Sequence, residues 1–438
     1  MTEPTFKKIS VIGLGYIGLP TAAMFASRKI KVVGVDVNQH AVDTINCGEV
    51  HIVEPDLDLV VRAVVNEGYL KATTEPEPAE AFLIAVPTPF KGENHEPDLK
   101  YIEAAARAIA PVLKAGDLVI LESTSPVGAT ESMANWLAEA RPDLTFPQTA
   151  GKASDIRVAH CPERVLPGKV MQELITNDRV IGGMTTKCSE AASRLYKNFV
   201  TGECVVASGP RVAEMAKLTE NSFRDVNIAF ANELSIICDK LGMDVWELIS
   251  LANRHPRVNI LQPGPGVGGH CIAVDPWFIV SSAPEQTKLI RAAREVNDAK
   301  PQWVIDKVHA AIGAHLSAHP DKTATEVTLA IYGLAFKPDI DDLRESPALE
   351  IARALVGAHS GPVLVAEPNI DALPLDLAPA RLVNHETIRA DIHVMLVDHK
   401  SFKSSSTPTG LLVDARGGWD ISQAKAKAKG KASTATDK

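Results

Sequence analysis

The sequence predicts an α/β protein: two doubly wound parallel-sheet domains joined by a central helical region that contains a long helix. Three observations predict it. Short apolar runs alternate with helical stretches in the first part of the chain, and the same alternation returns after residue 326. Between these parts, apolar residues recur at helical spacing with no strand-like run. Strands apolar on both faces belong to parallel sheets covered by helices on either side. With 438 residues, the chain has room for roughly two or three domains of about 150 residues each.

The first strand is the run at 9–15 (ISVIGLG), which ends in glycine, and a helix is expected over 17–28. Further strands are expected at 31–36, 81–86 and 118–122. The long helix is expected over 212–241, where Met215, Leu218, Phe223, Ile228, Phe230, Leu234 and Ile237 carry the apolar period. A second helical stretch is expected over 286–314, broken or bent near Pro301 because proline lacks the N–H of the helical ladder. Strands then return at 327–333, 362–367, 391–398 and 411–414, after a boundary at 320–325. The domains expected are 1–208, a central helical and dimerising region 209–319, and 320–422. The tail at 423–438 is Lys- and Ala-rich, without larger apolar residues, and is expected to be disordered.

Composition excludes several classes of function. A net charge of −9 argues against a nucleic-acid surface. No apolar run approaches the roughly 18 residues of a membrane span, and the N-terminal residues lack the apolar core of an export signal. The six cysteines are scattered, with no C-x-x-C pair, which reads as a reduced, cytoplasmic protein. Neither His270-Cys271 nor His160-Cys161 has further ligands at zinc-site spacing, so no metal site is expected.

Gly13, Gly15 and Gly18, with Tyr16 and Ile17 between them, form a G-x-G-x-x-G motif that follows a strand and opens a helix. Asp36 ends the next strand. This context makes the motif a Rossmann-like dinucleotide signature. The glycines serve the tight turn, the close approach of a pyrophosphate and the packing of helix on strand. The helix N-terminus offers its free N–H groups to the phosphates. A carboxylate at Asp36 suits a ribose hydroxyl and disfavours a 2′-phosphate, so NAD is the expected cofactor. Thr88, Thr124 and Thr130 lie in loops after strands of the same domain, where ligands bind in such folds.

Two further groups carry chemistry. Lys217, Asn221 and Arg224 stand at i, i+4 and i+7 and share one face of the long helix. Such a stripe suits either a solvated face or the wall of a cleft. Cys271 follows the glycine run of 264–269 and precedes Asp275 by four residues. Glycines bring the backbone close to a ligand, and a thiol presented there suits a covalent adduct as readily as it suits an inert buried position.

Together these motifs resemble the nucleotide-sugar 6-dehydrogenase family, the UDP-glucose and GDP-mannose dehydrogenases. The resemblance rests on GLGYIG at 13–18, VPTP at 86–89, STSPVG at 123–128, CPER at 161–164, AKLTENSFRDVNIAFANE at 216–233, GPGVGGHCIAVDP at 264–276 and YGLAFKPDIDDLRESP at 332–347. It spans the chain apart from the tail. His270 stands where the glucose enzymes carry a serine, which points to the branch acting on N-acetylated sugars. The resemblance implies a four-electron, NAD-dependent oxidation of C6 of a UDP-N-acetyl-sugar. UDP-N-acetyl-D-mannosamine is the implied substrate, with UDP-N-acetyl-D-glucosamine the alternative. Cys271 would form a thiohemiacetal and then a thioester. Lys217 would handle the substrate oxygen, Asn221 would hold that oxygen or a water, and Asp275 would support Lys217 or activate water. Glu163 would serve hydrolysis and Thr124 would position the water. Arg164, Val165, Arg224, His255, Arg257, Gly268, Phe336 and Lys337 carry over as nucleotide-sugar contacts, and Arg344 as a contact to the NAD phosphates. Residues like Arg257 can reach a neighbouring subunit's site in that family, which implies a homodimer. An ordinary two-electron 3-hydroxy-acid dehydrogenase would share the first two domains and yield a single NADH.

Overall fold

The structure, a computed structural model, describes residues 6–52, 54–92, 95–166, 168–269, 272–403 and 407–419. His270, Cys271 and the tail at 423–438 therefore lie outside the described residues. The chain divides into two compact units, one of Met1–Glu220 with Trp277–Gln286, the other of Asn221–Pro276 with Thr287–Lys438.

The first unit holds an eight-stranded sheet and a small ribbon. Its strands are β1 (Lys8–Ile12), β2 (Lys31–Val35), β3 (Leu70–Thr73), β4 (Ala81–Ile84), the ribbon pair β5 (Phe90–Lys91) and β6 (Glu96–Pro97), β7 (Leu118–Leu121), β8 (Arg157–His160), β9 (Arg179–Gly183) and β10 (Cys204–Val206). The sheet order is β10-β9-β8-β7-β4-β1-β2-β3. All pairings are parallel except that of β8 with β9. The expected strands are present, each ending one to three residues earlier than expected. Strands β3, β8, β9 and β10 were not expected: β8 opens on Arg157 and closes on His160, and β10 has only three residues, so neither forms a long apolar run. Two apolar layers, one on each face, bury β4 and β7 completely and β1 apart from Lys8. The order reverses at β1, whose neighbours β2 and β4 lead away in opposite directions. The crevice at this reversal is where such sheets bind ligands.

The second unit carries β11 (Leu329–Tyr332), β12 (Val363–Ala366), β13 (Arg381–Leu382), β14 (Ile392–Met395) and β15 (Leu411–Asp414), all parallel in the order β13-β12-β11-β14-β15. Here the reversal falls at β11. The turn after β11 reproduces the turn after β1. Gly13 and Gly333 have φ of +90° and +88°, which favours glycine. Gly13 N–H donates to Val35 O and Leu14 N–H to Asp36 Oδ2; Gly333 N–H donates to Ala366 O and Leu334 N–H to Glu367 Oε2. This structural repeat was not visible as a sequence repeat.

The long helix spans Pro210–Leu241. A second, Lys288–Ala318, continues through Pro301 as one helix, where the sequence predicts a break or a bend. Proline removes a single ladder bond, and the Pro301 ring packs against Gly266, within 3.2 Å of where a Cβ on that glycine would stand. In the second unit the two helices share a buried polar seam. Arg294 donates to Asp225, Asn297 Nδ2 donates to Asp225 O and Oδ1, Asn232 Nδ2 donates to Asn297 Oδ1, and Lys300 donates to Ser235. Asn232 Oδ1 also accepts the N–H of Gly264 at 2.8 Å, so the seam anchors the start of the glycine-rich segment.

Candidate active site

The cofactor cradle lies in the first unit. The helix Gly18–Ser27 starts directly after the glycine turn, and no side chain caps its N-terminus. Leu19 N–H closes on Gly15 O at 3.1 Å and Pro20 has no N–H, so what this helix start offers an anion is the positive end of its dipole and the backbone of the glycine turn ahead of it. Gly13 and Gly18 are required internally: a Cβ on Gly18 would stand 1.8 Å from Gly13 O, and one on Gly13 2.5 Å from Ala85 O. Gly15 is exposed, with nothing within 4 Å of its would-be Cβ, so its backbone is open to close approach from outside. Tyr16 and Ile17 are half-buried in the same turn. Asp36 is half-buried and accepts the N–H groups of Leu14 at 2.8 Å and Asn38 at 2.9 Å. That fixes the carboxylate at the end of β2 with lone pairs to spare. The buried Thr88 hydroxyl, after β4, has no partner among the described residues. An open glycine, an uncapped helix start, an anchored carboxylate and an orphaned hydroxyl fit NAD.

Neighbouring loops tie this cradle to the long helix. Ser123 Oγ donates to Val86 O at 2.7 Å, joining the loops after β4 and β7. Glu214 accepts the N–H groups of Gly128 (2.7 Å) and Thr130 (2.8 Å) and the Thr130 hydroxyl (2.6 Å). The fully buried Thr130 is thus committed to a structural bond, whereas Thr124 is half-buried on the loop. Glu214 was missed in the sequence; it sets the helix that carries Lys217, one turn further on. Lys217 is half-buried and makes no ion pair among the described residues.

Glu163 is buried and bound by the Arg179 guanidinium and the Arg164 N–H. Arg179 also lies 3.8 Å from Glu122, whose other neighbour is the Tyr196 hydroxyl at 3.0 Å. Burial, reinforced by the nearby Glu163, pushes Glu122 far above the usual carboxylate range. Arg179 thus pairs with Glu163, while Glu122 favours its protonated form. Burial drives His160 down to about 3 and Cys161 up to about 12, so neither ionises near neutrality. The Arg164 side chain is forked on Glu220, with contacts of 3.1 Å and 2.6 Å, while Val165 packs against the core.

In the second unit, Asn221 Nδ2 donates to Asp275 Oδ2, both groups being buried. Asp275 opens the helix Asp275–Ser282. The glycine-rich segment runs against the loop after β11. A Cβ on Gly268 would stand 2.6 Å from Glu345 O and 2.9 Å from Phe336 Cβ, and Gly269 N–H donates to Glu345 O. Phe336 is half-buried and Lys337 exposed. Arg344 is forked on Asp342. Arg224, His255 and Arg257 are exposed. The structure thus brings Asn221 to Asp275 and Gly268 to Phe336; Cys271, the expected nucleophile, lies outside the described residues.

Three family models match in sequence along the chain: the UDP-glucose/GDP-mannose dehydrogenase family's NAD binding domain at 7–200, its central domain at 211–299 and its UDP binding domain at 330–421. The chain belongs to the UDP-glucose/GDP-mannose dehydrogenase family. It is an NAD-dependent oxidoreductase of that family, with its cofactor cradle in the first unit. The UDP-N-acetyl-D-mannosamine dehydrogenase of Yersinia pestis is 66% identical over 421 residues, 95% of this chain and all of that protein. The NDP-N-acetyl-D-galactosaminuronic acid dehydrogenase of Ralstonia nicotianae is 65% identical over 94% of this chain and 96% of that one. A solved UDP-N-acetyl-D-mannosamine dehydrogenase from Pyrococcus horikoshii superposes with a TM-score of 0.82 at 38% identity, over 94% of this chain and 95% of that one. No helix among the described residues is long and apolar enough to cross a membrane.

Proposed function

We propose that this dehydrogenase oxidises the C6 hydroxyl of UDP-N-acetyl-D-mannosamine to the carboxylate. The observation that carries the substrate is the 66% identity, over its full length, with the Y. pestis enzyme of that name. NAD supplies the hydride acceptor, and two equivalents account for the four electrons. Lys217 takes the proton of the substrate hydroxyl and stabilises negative charge on that oxygen. Asn221, oriented by Asp275, holds the same oxygen. The Cys271 thiolate adds to the C6 aldehyde to give a thiohemiacetal, and loss of a second hydride leaves a thioester. Water, positioned by Thr124 and Glu163 and relieved of a proton by Asp275, releases the acid and regenerates the thiol. Glu163 is an acceptor fixed in place by the Arg179 guanidinium, which suits it to orienting that water. Arg164, Val165, Arg224, His255, Arg257, Gly268, Phe336 and Lys337 form the nucleotide-sugar site, and Arg344 reaches the cofactor phosphates once released by Asp342.

The test is NADH yield on a panel of UDP-N-acetylated hexosamines of manno, gluco and galacto configuration. Two NADH per molecule, with the highest kcat/KM on the manno sugar, is the expected outcome. One NADH would refute the thioester route. A preference for the galacto sugar, which the R. nicotianae relative makes the second reading, or for the gluco sugar would refute the substrate.

We also infer a homodimer. Phe223, Phe230 and Ile237 recur seven residues apart on the long helix, with Leu241 one turn on, and are 69%, 55%, 41% and 65% exposed. An apolar stripe of this kind suits a second copy of the chain. A light-scattering mass of one chain would refute it. We place the enzyme in the cytoplasm, which supplies NAD and UDP-sugars and keeps a thiol such as Cys271 reduced.

A further inference from the structure

In the second unit, one histidine fastens the loop after β11. His399 is fully buried. Its Nδ1 lies 3.0 Å from Asp339 N and its Nε2 3.1 Å from Glu367 Oε2. A backbone N–H can only donate, so Nδ1 is the acceptor and Nε2 carries the proton toward the carboxylate. Asn369 Nδ2, 3.1 Å from Nδ1, is a second donor to it. Glu367 also accepts the N–H groups of Leu334 at 2.7 Å and Ala335 at 3.2 Å. Burial opposes its charge, but the bonds from His399 and Leu334 outweigh that and hold it below the usual carboxylate range. One imidazole and one carboxylate thus pin both ends of segment 334–339, with Phe336 and Lys337 between them.

The pinned end is strained. Asp339 has φ of +63°, which costs a non-glycine residue on the order of 1 kcal/mol and persists only where the surroundings enforce it. The enforcement is visible. The Asp339 carboxylate accepts the Lys400 N–H at 2.9 Å and lies 3.3 Å from the Lys400 ammonium, and the Phe402 ring packs edge-on against His399 at 5.2 Å. Phe336 N–H closes the loop on Asp342 O at 3.2 Å.

We propose that His399 is a positioning residue for the nucleotide: through Asp339 and Glu367 it holds Phe336 and Lys337 in the geometry that meets uridine diphosphate, without touching the ligand. This rests on the reading that Phe336 and Lys337 belong to the nucleotide-sugar site. The loop is accordingly built before the ligand arrives, and the cost of ordering it is met by the fold.

The test is calorimetric titration of UDP, and separately of NAD, into the full-length protein. His399→Leu, close in size but without either bond, is expected to weaken UDP at least tenfold and leave NAD affinity unchanged. His399→Asn places Oδ1 where Nδ1 accepts the Asp339 N–H, and is expected to return UDP affinity to within about threefold of wild type. UDP binding by His399→Leu within twofold of wild type, equal losses for UDP and NAD, or no recovery in His399→Asn would each overturn the proposal. If His399→Leu does not fold, hydrogen exchange of the wild-type segment 334–339 decides. Slow exchange without ligand supports the latch; fast exchange slowed only by UDP overturns it. A wild-type protein that binds NAD but not UDP would overturn the nucleotide reading, and this inference with it.

Discussion

Gly15 and Gly18 lie three residues apart in one motif, yet the structure assigns them opposite vulnerabilities. A Cβ on Gly15 meets nothing within 4 Å, and its φ is not in the left-handed region. Gly15→Ala is therefore expected to leave the free protein as stable as wild type, or to stabilise it by about 0.4–1 kcal/mol through the unfolded chain. The new methyl would occupy the approach of the NAD pyrophosphate. Losing one charge-assisted bond of about 1.5–3 kcal/mol weakens NAD by roughly 10- to 100-fold. Gly18→Ala meets Gly13 O at 1.8 Å, so the turn and the helix start must separate by more than 1 Å to reach even a tight contact of 3.0 Å. Overpacking of this kind costs about 1–3 kcal/mol or more, a fall in Tm of roughly 3–10 °C for a unit of this size. Scanning calorimetry without ligand, paired with NAD titration, separates the two. The reasoning fails if Gly15→Ala melts as low as Gly18→Ala, or if it binds NAD as wild type does.

Two further outcomes follow from the second unit. Lys300 is buried against Ser235, and burial lowers it from 10.5 to about 7, although the Trp303 ring face 3.9 Å away favours the ammonium. A lysine with a lowered folded pKa destabilises the fold fully below about 7, and the penalty is relieved as pH rises toward 10.5. Lys300→Met is thus expected to be the more stable protein at pH 6.5, with an advantage that shrinks by up to about 1.4 kcal/mol per pH unit between 7.5 and 9.5; parallel stability curves from urea melts would contradict this. Gly268→Ala forces a Cβ to 2.6 Å from Glu345 O and 2.9 Å from Phe336 Cβ. It is expected to raise the KM for the nucleotide sugar at least tenfold while the KM for NAD holds, and unchanged values for both would count against the placement of Phe336 in that site.

The parts of the candidate site that the sequence offers are local. The glycine turn, Asp36 and the Lys217–Asn221 spacing each occupy a few consecutive turns of chain, where residue type and period carry the signal. What escaped the sequence lies in pairs far apart along it. Glu214 reads as one more charge on a helix, yet it holds Gly128 and Thr130, more than 80 residues away. Asp225, Asn232 and Ser235 carry no signal of their own in the sequence; Arg294, Asn297 and Lys300 on the second long helix join them in a buried seam. Arg179 gave no hint that it neutralises Glu163, because β9 itself was not expected. Periodicity reports which face a residue occupies, whereas burial depends on what packs there.

The duplicated turn shows how one backbone device is put to two uses by a few side chains. After β1, Gly15 leaves the backbone bare and Gly18 lets a helix begin at once, while Asp36, held by Leu14 N–H of that turn and by Asn38 N–H, remains half-exposed. After β11, Ala335 fills the place of Gly15 and Pro338 that of Gly18. No helix starts until Pro347, capped by Ser346, and the intervening loop presents Phe336 and Lys337 instead. Glu367 occupies the place of Asp36, but it is buried and ringed by Leu334, Ala335, Asn369 and His399, leaving nothing to offer a ribose. On the proposed reading the first turn meets phosphate by backbone and dipole, and a ribose by a half-exposed carboxylate. The second uses its carboxylate to hold a loop, and on the same proposed reading its affinity for a diphosphate comes from the lysine and the ring which that loop carries.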